Sequence, residues 1–154
     1  MGTRAEALAA QLEQANNAVI STVEGLPDAK WRADCANEGR TVGVMAHHIA
    51  SGHPVLSGFA NMIANGEPLP PLTMEMVDQA NAQFAAENAD RTKDEALALL
   101  RSNGEAAANL VRGLSDEQLD RGATMFGAPW TTQSLIEAFL IGHPIGHNAS
   151  IQAS

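Results

Sequence analysis

Apolar side chains recur at intervals of three and four residues along most of this 154-residue chain. That spacing puts them on one face of an α-helix and does not fit the strict alternation of a half-buried β-strand. The first segment of this kind runs from Thr3 to Glu24. Its apolar positions are Leu8, Leu12, Ala15, Val19 and Val23. Gly25 and Pro27 follow and stop a helix, so the pattern predicts an amphipathic first helix.

The middle of the chain predicts further helices with clear start and stop signals. Thr41 is a good N-cap for a second helix, which ends at the proline-rich stretch 65–72. A third segment begins near Thr73. The capping box Thr92–Glu95 opens a fourth segment. The third and fourth segments are either one helix broken near Asp90 or two separate helices.

The last part of the chain contains a short helical turn and a final long helix. The turn begins at Ser115–Gln118, and the final helix starts near Thr131 or Thr132 and runs close to residue 154. Alternating βαβ patterns are absent. We therefore predict an all-α fold: a four-helix bundle with at least one long connection, forming a single domain over residues 1–154.

Charge and cysteine content narrow the classes of function. The net charge is −9, from 18 acidic and 9 basic residues, and no Lys/Arg cluster offsets it. Binding to nucleic acid or to an anionic membrane is therefore not expected. A lone Cys35 excludes an internal disulfide and favours a reducing cytoplasm. The first residues have the pattern of an amphipathic helix rather than a signal peptide, and no apolar run is long enough to span a membrane.

Two of the five histidines lie one helical turn apart in the final helix. The apolar line of that helix is Ile136, Leu140, His143, His147 and Ile151. Residues four apart are neighbours on a helix surface, so His143 and His147 are near enough to bind one cation. Pro144 between them removes a helical hydrogen bond to Leu140, and it should either kink the helix or begin a new one.

The other three histidines lie in the second helix. Helical periodicity predicts that their side chains point in different directions relative to its apolar stripe. At about 100° per residue, His48 falls about 60° from the centre of the apolar stripe, and His53 falls about 80° from it. His47 falls about 160° away, which directs it towards solvent or a partner. The geometry therefore selects His48, His143 and His147 as three imidazoles converging inside the bundle. Three imidazoles and a water form a catalytic metal site with an open position.

The same residues allow other interpretations. A single histidine on a helix is most often a core or surface residue, and three could line a dimer interface. A bundle could also carry a metal or small ligand without catalysing a reaction. No acidic residue is placed beside the three histidines by the sequence, so no general base is assigned.

Two segments resemble the motifs of the DinB-like superfamily. TVGVMAHHIASGH (Thr41–His53) is similar to a family pattern in which Thr-Val near a helix start precedes His-Leu-Ala, and its histidine falls on His48. HPIGHNASI (His143–Ile151) is similar to the His-x-x-x-His of the family's last helix. The resemblance covers almost the whole chain. Two positions depart from the family: Arg40 replaces a frequent tryptophan, and Ser150 takes the place of the usual polar residue.

The resemblance implies a DinB-like four-helix bundle with up-down-down-up connections. It implies a divalent metal on His48, His143 and His147, with zinc or nickel first and iron or manganese as further options. Family members include transferases and isomerases that use mycothiol, bacillithiol or glutathione, and many are homodimers. The implied function is transfer of a low-molecular-weight thiol to a small electrophile. A metal-dependent hydrolase and a non-catalytic binding bundle are the alternatives.

Overall fold

The computed structural model describes residues 2–154, and most of them lie in helices. The long helices are α1 (Thr3–Glu24), α3 (Val42–Ala64), α4 (Met74–Glu87), α5 (Lys93–Arg112) and α8 (Gly142–Gln152). The short elements are α2 (Asp28–Trp31), α6 (Asp116–Asp120), β1 (Gly122–Met125), β2 (Ala128–Thr131) and α7 (Thr132–Leu135). A π-helical segment, Ile136–Ile141, joins α7 to α8. The predicted all-α class is confirmed.

Four helical rods enclose the core: α1, α3, α5 and the continuous run from α7 to α8. Arg4 bonds Gln133 and Gln152 bonds Thr22, so α1 and the last rod run in the same direction. Arg112 near the end of α5 bonds Glu6 near the start of α1, so these two helices are antiparallel. The core between the rods is mainly Ala, Leu, Ile and Val.

The third and fourth predicted segments are two separate helices. α4 lies outside the four rods, and none of its residues is fully buried. Its half-buried Phe84 packs against α3, where its ring stacks on His47 at a centroid distance of 5.4 Å. The proline-rich stretch before α4 therefore leads to a helix that covers the outer face of α3.

A two-stranded hairpin, β1 and β2, was absent from the sequence-based expectation. Its two-residue turn is Phe126-Gly127, and both residues have positive φ, 53° and 73°. That is the geometry of a tight hairpin turn, which usually contains Asn-Gly or Asp-Gly. Because the first turn residue is phenylalanine, the sequence lacks the usual signature of a hairpin turn.

Pro144 lies just after the π-helical segment, in a helical run that continues from that segment into α8. The amide of Gly142 bonds the carbonyl of Glu137, the five-residue spacing of a π-helix, and α8 begins at this residue. Pro144 is the third residue of α8, and Ile141 and Gly142 before it both have right-handed helical φ and ψ values. A fresh helix with Pro144 at its first position, the second of the two predicted outcomes, is therefore not found. None of the helices described over residues 2–154 combines the length and the apolarity that crossing a membrane requires.

Candidate metal centre

The fold brings together the three histidines that the sequence selected. One ring nitrogen from each of His48, His143 and His147 lies within 4.8 Å of the others. The Nε2 atoms of His48 and His143 are 3.0 Å apart. The ring centroids of His143 and His147 are 4.5 Å apart, as expected for neighbours one turn apart on α8. All three side chains are half-buried, between α3 and the first turns of α8.

The separation of these nitrogens suits a single metal ion. Two imidazole nitrogens that share a tetrahedral zinc ion lie about 3.3 Å apart, given metal–nitrogen bonds of about 2.0–2.1 Å. The Nε2 atoms of His48 and His143 already approach that value. Among residues 2–154, no fourth His, Cys, Asp or Glu joins the group. The three residues therefore fit a site with three protein ligands and an open position.

The imidazoles of this group favour the neutral form that a metal requires. Burial lowers the pKa of His48 to about 4, with help from the nearby His147 and Arg40. Burial also lowers the pKa of His143 to about 3, and the adjacent His48 and His147 act in the same direction. Both rings are therefore neutral at pH 7. A cation can bind them without first displacing protons.

Glu38 is a candidate site residue that sequence reasoning missed. Its Oε1 accepts a hydrogen bond of 2.8 Å from Nδ1 of His147, which leaves Nε2 of that ring for a metal. Burial alone would raise the pKa of Glu38, but hydrogen bonds from His147 and Ser150 outweigh it and lower the pKa. A carboxylate behind a ligating histidine fixes the tautomer and makes the ring a better donor.

A tight loop holds Glu38 in this position. Asn37 and Gly39, on either side of it, have positive φ values of 64° and 66°. Asparagine and glycine are the residues that tolerate this backbone region. The amide of Cys35 bonds the carbonyl of Arg40 at 2.7 Å and closes the loop. Glu38 lies in a loop 109 residues before His147, so helical periodicity gave no signal for it.

The prediction that His47 faces solvent or a partner is wrong. Its side chain is 3% exposed and lies beneath Phe84 of α4. His47 does lie opposite the bundle core, but α4 adds a second layer there. Periodicity locates the face of α3 that meets the bundle. It does not show that another helix covers the opposite face.

His53, which periodicity placed between core and surface, is fully buried. Its Nε2 lies 2.8 Å from Oδ1 of Asn16. Because Nδ2 of Asn16 donates to the carbonyl of Leu100, Oδ1 of Asn16 must be the acceptor and His53 Nε2 the donor. Burial lowers the pKa of His53 to about 4, so this histidine is a neutral core residue. It does not belong to the three-histidine group.

Gly52 provides the space that the His143 ring occupies. A Cβ atom at position 52 would lie 2.9 Å from Cε1 of His143 and 3.2 Å from its Nδ1. That Nδ1 atom is buried and has no hydrogen-bond partner within the described part of the chain. The ring is therefore positioned by packing against Gly52 rather than by a second hydrogen bond.

We expect Gly52→Ala to lower divalent-metal affinity by about tenfold, the lower end of the loss seen when the support of a ligand is removed. The new methyl group must displace the His143 ring, whose Nε2 lies 3.0 Å from that of His48. Competition with a chromogenic chelator measures the affinity. Gly58→Ala on the same helix is the matched control, because a Cβ there meets nothing within 4 Å. Equal affinities for the two variants would contradict the role given to Gly52.

We expect Glu38→Gln to lower metal affinity by about 10- to 100-fold, since it removes the anionic partner of a ligating imidazole. The same chelator competition measures this loss. Asp34→Asn is the control, because it removes an equal charge from an exposed side chain of the same loop. If both variants weaken binding equally, Glu38 contributes only general electrostatic attraction.

Comparison with known proteins places the chain among its relatives. A family model described as the DinB superfamily matches residues 11–151. No curated protein matches the sequence. An uncharacterized protein from Clostridium difficile 630 has a similar structure, with a TM-score of 0.77 and 14% identity, over 99% of this chain and 96% of the other.

A second solved structure, described as the sibling lethal factor precursor DfsB, gives a TM-score of 0.70 at 19% identity. It covers 99% of this chain and 95% of its own. Identities this low establish a shared fold and nothing about activity. The family match extends over most of the sequence, and it includes His48, His143 and His147. The resemblance seen in the two histidine motifs is thereby confirmed: this chain belongs to the DinB superfamily.

Proposed function

We propose that the protein is a divalent-metal-dependent enzyme in which His48, His143 and His147 hold one cation. The observation that carries the proposal is the set of three imidazoles within 4.8 Å, with no fourth protein ligand among residues 2–154. Structural sites usually surround the ion with four protein ligands, whereas catalytic sites leave a position for substrate. The count of ligands therefore favours catalysis.

The proposed reaction is transfer of a low-molecular-weight thiol to a small electrophile. A bound divalent cation lowers the pKa of a coordinated thiol and so supplies a nucleophile at neutral pH. The three histidines contribute no negative charge, so they leave the charge of the cation available to the thiol. Glu38 holds the His147 ring in its ligating orientation through the 2.8 Å hydrogen bond.

We also propose which divalent cation the three histidines bind. Imidazole ligands suit zinc, nickel and iron. We place zinc or nickel first and iron or manganese second. For the substrate we propose a small molecule rather than a nucleic acid, because the net charge of −9 repels phosphate backbones.

The test is a conjugation assay with metal-loaded protein, chlorodinitrobenzene, and mycothiol, bacillithiol or glutathione. The thiol loses its proton to solvent, its sulfur forms a bond to the ring carbon, and chloride leaves with the bonding pair. We expect one thiol to react faster than the uncatalysed rate, and His48→Ala to abolish the difference. Failure of all three thiols, with this and a second electrophile, would contradict thiol transfer.

The same metal-loaded protein, assayed with esters and amides in addition to thiols, separates the alternatives. Turnover of an ester or amide without any thiol would identify a hydrolase, in which water takes the open position. Stoichiometric metal with no turnover across the thiol and ester panels would identify a binding protein.

A further inference from the structure

Phe84 lies at the rim of the metal centre. Of the phenylalanine and tryptophan rings in residues 2–154, only that of Phe84 contacts an imidazole of the three-histidine group. Its centroid is 5.8 Å from that of His48, with the ring planes inclined by 67°, and it also stacks on His47. These contacts leave Phe84 only half-buried, so part of the residue remains open to solvent.

The end of α4 that carries Phe84 is anchored by hydrogen bonds. The carbonyl of Phe84 accepts from the amide of Asn88 at 3.0 Å and from Nδ2 of Asn88 at 2.9 Å. Oδ1 of Asn88 accepts from Nε of Arg91 at 3.0 Å. Nε1 of Trp31 in turn donates to the carbonyl of Arg91 at 3.1 Å. The Phe84 ring is therefore held in place before a ligand arrives, which lowers the entropy cost of binding to it.

The outer side of the metal centre is bordered by α4. The bundle core lies on the inner side of the three half-buried imidazoles, so a molecule reaches them from the outside. Val55, seven residues after His48 and on the same face of α3, is 56% exposed and adds a second apolar side chain there. The carboxylate of Glu38 is already bonded to His147. The side chains identified at this rim are therefore apolar.

We propose that Phe84 contacts the electrophile that reacts in the metal centre, so that the preferred electrophiles carry an aromatic ring. This inference rests on the proposed function and specifies its substrate class. Two aromatic rings attract each other at centroid distances of about 4.5–7 Å, the range in which Phe84 already contacts two imidazoles. Phe84 acts here as a residue that determines specificity.

The first measurement is the binding of reaction products, which requires no turnover. The dinitrophenyl and carbamoylmethyl thioethers of mycothiol, bacillithiol and glutathione share the thiol and differ in the group attached to sulfur. Calorimetry on zinc-loaded protein gives each dissociation constant. We expect the wild type to prefer the dinitrophenyl thioether of at least one thiol. Phe84→Leu should reduce this preference by about two- to tenfold, the effect of one aromatic pair, and Phe84→Tyr should keep it.

The second measurement compares the conjugation of chlorodinitrobenzene and iodoacetamide with the same thiol. In both reactions the thiol loses its proton to solvent, a sulfur–carbon bond forms, and the halide leaves with the bonding pair. In Phe84→Leu, kcat/KM should fall by about two- to tenfold for chlorodinitrobenzene and stay unchanged for iodoacetamide. Phe126→Leu is the matched control, because it makes the same change at an exposed phenylalanine in the hairpin turn. It should keep the wild-type values.

Three outcomes would overturn the inference while leaving thiol transfer intact. They are an unchanged preference in Phe84→Leu, a wild type that treats both groups equally, and a loss of zinc in Phe84→Leu, which would show a structural role instead. Phe84→Leu should keep the wild-type zinc affinity, because Phe84 is not among the three ligands. If no thioether binds and no thiol reacts in any variant, the proposed thiol transfer fails as well.

Discussion

Replacing His143 with alanine should lower the affinity for a divalent cation by more than about 100-fold, because the loss of a ligand exceeds the loss of a ligand's supporting partner. His143 is central to the group: its ring lies 4.8 Å from that of His48 and 4.5 Å from that of His147, centroid to centroid. Alanine leaves only two imidazoles at the site, those of His48 and His147, whose ring centroids are 5.2 Å apart. Competition with a chelator measures the loss.

Thermal unfolding provides an independent measurement of the same effect. A metal that binds only the folded chain stabilises it by about 4 kcal/mol when present at 1,000 times its dissociation constant. We expect added zinc to raise the Tm of His143→Ala much less than that of the wild type, because a 100-fold loss of affinity at that concentration leaves only about 1.4 kcal/mol of the stabilisation. His47→Gln is the control, since His47 is buried under Phe84 and outside the group. A zinc-dependent shift in His143→Ala as large as that of the wild type would place the cation elsewhere.

Gly104→Ala should reduce the free energy of unfolding by about 3–5 kcal/mol, through overpacking and the loss of buried hydrogen bonds. A Cβ atom at position 104 would lie 2.2 Å from Nδ2 of Asn16. Asn16 is 5% exposed. It connects α1 to two other helices, because it donates a hydrogen bond to Leu100 of α5 and accepts one from His53 of α3, each at 2.8 Å. Moving Asn16 leaves Nε2 of His53 buried without a partner and removes the additional hydrogen bond to the carbonyl of Leu100.

Urea denaturation of the metal-free protein measures this change. Gly146→Ala is the control, because it adds a methyl group to a helix at a position with nothing within 4 Å, and its effect should stay within about 1 kcal/mol. The double variant Asn16→Ala, Gly104→Ala tests the mechanism. If Gly104→Ala is destabilising because it displaces Asn16, the double variant loses less stability than the sum of the losses in Asn16→Ala and Gly104→Ala. Additive losses would contradict this explanation.

Helical periodicity predicted the elements that depend on local sequence. The first helix has the predicted bounds, Thr3 to Glu24, and Thr41 and Thr92 cap helices as expected. Each cap accepts a hydrogen bond from the amide three residues on, which is a local interaction. The same periodicity predicted that His48 lies at the edge of the core, on the side of α3 that faces His143 and His147.

Contacts between distant segments account for what the sequence did not reveal. The burial of His47 depends on Phe84, and the orientation of His147 depends on Glu38. Neither contact lies within one helix, so neither leaves a periodic pattern. The hairpin escaped notice for a different reason, since Phe126 at positive φ is an uncommon turn residue. Its strands are also only four residues long.

The central claim is that His48, His143 and His147 hold one divalent cation, and metal analysis of the purified protein tests it most directly. The protein should be produced without a histidine tag or a nickel column and analysed by mass spectrometry of its metals. We predict close to one equivalent of a divalent metal per chain. The variant with all three histidines changed to alanine should contain almost none. Stoichiometric metal in that variant, or none in the wild type after incubation with zinc, nickel, iron or manganese, would contradict the claim.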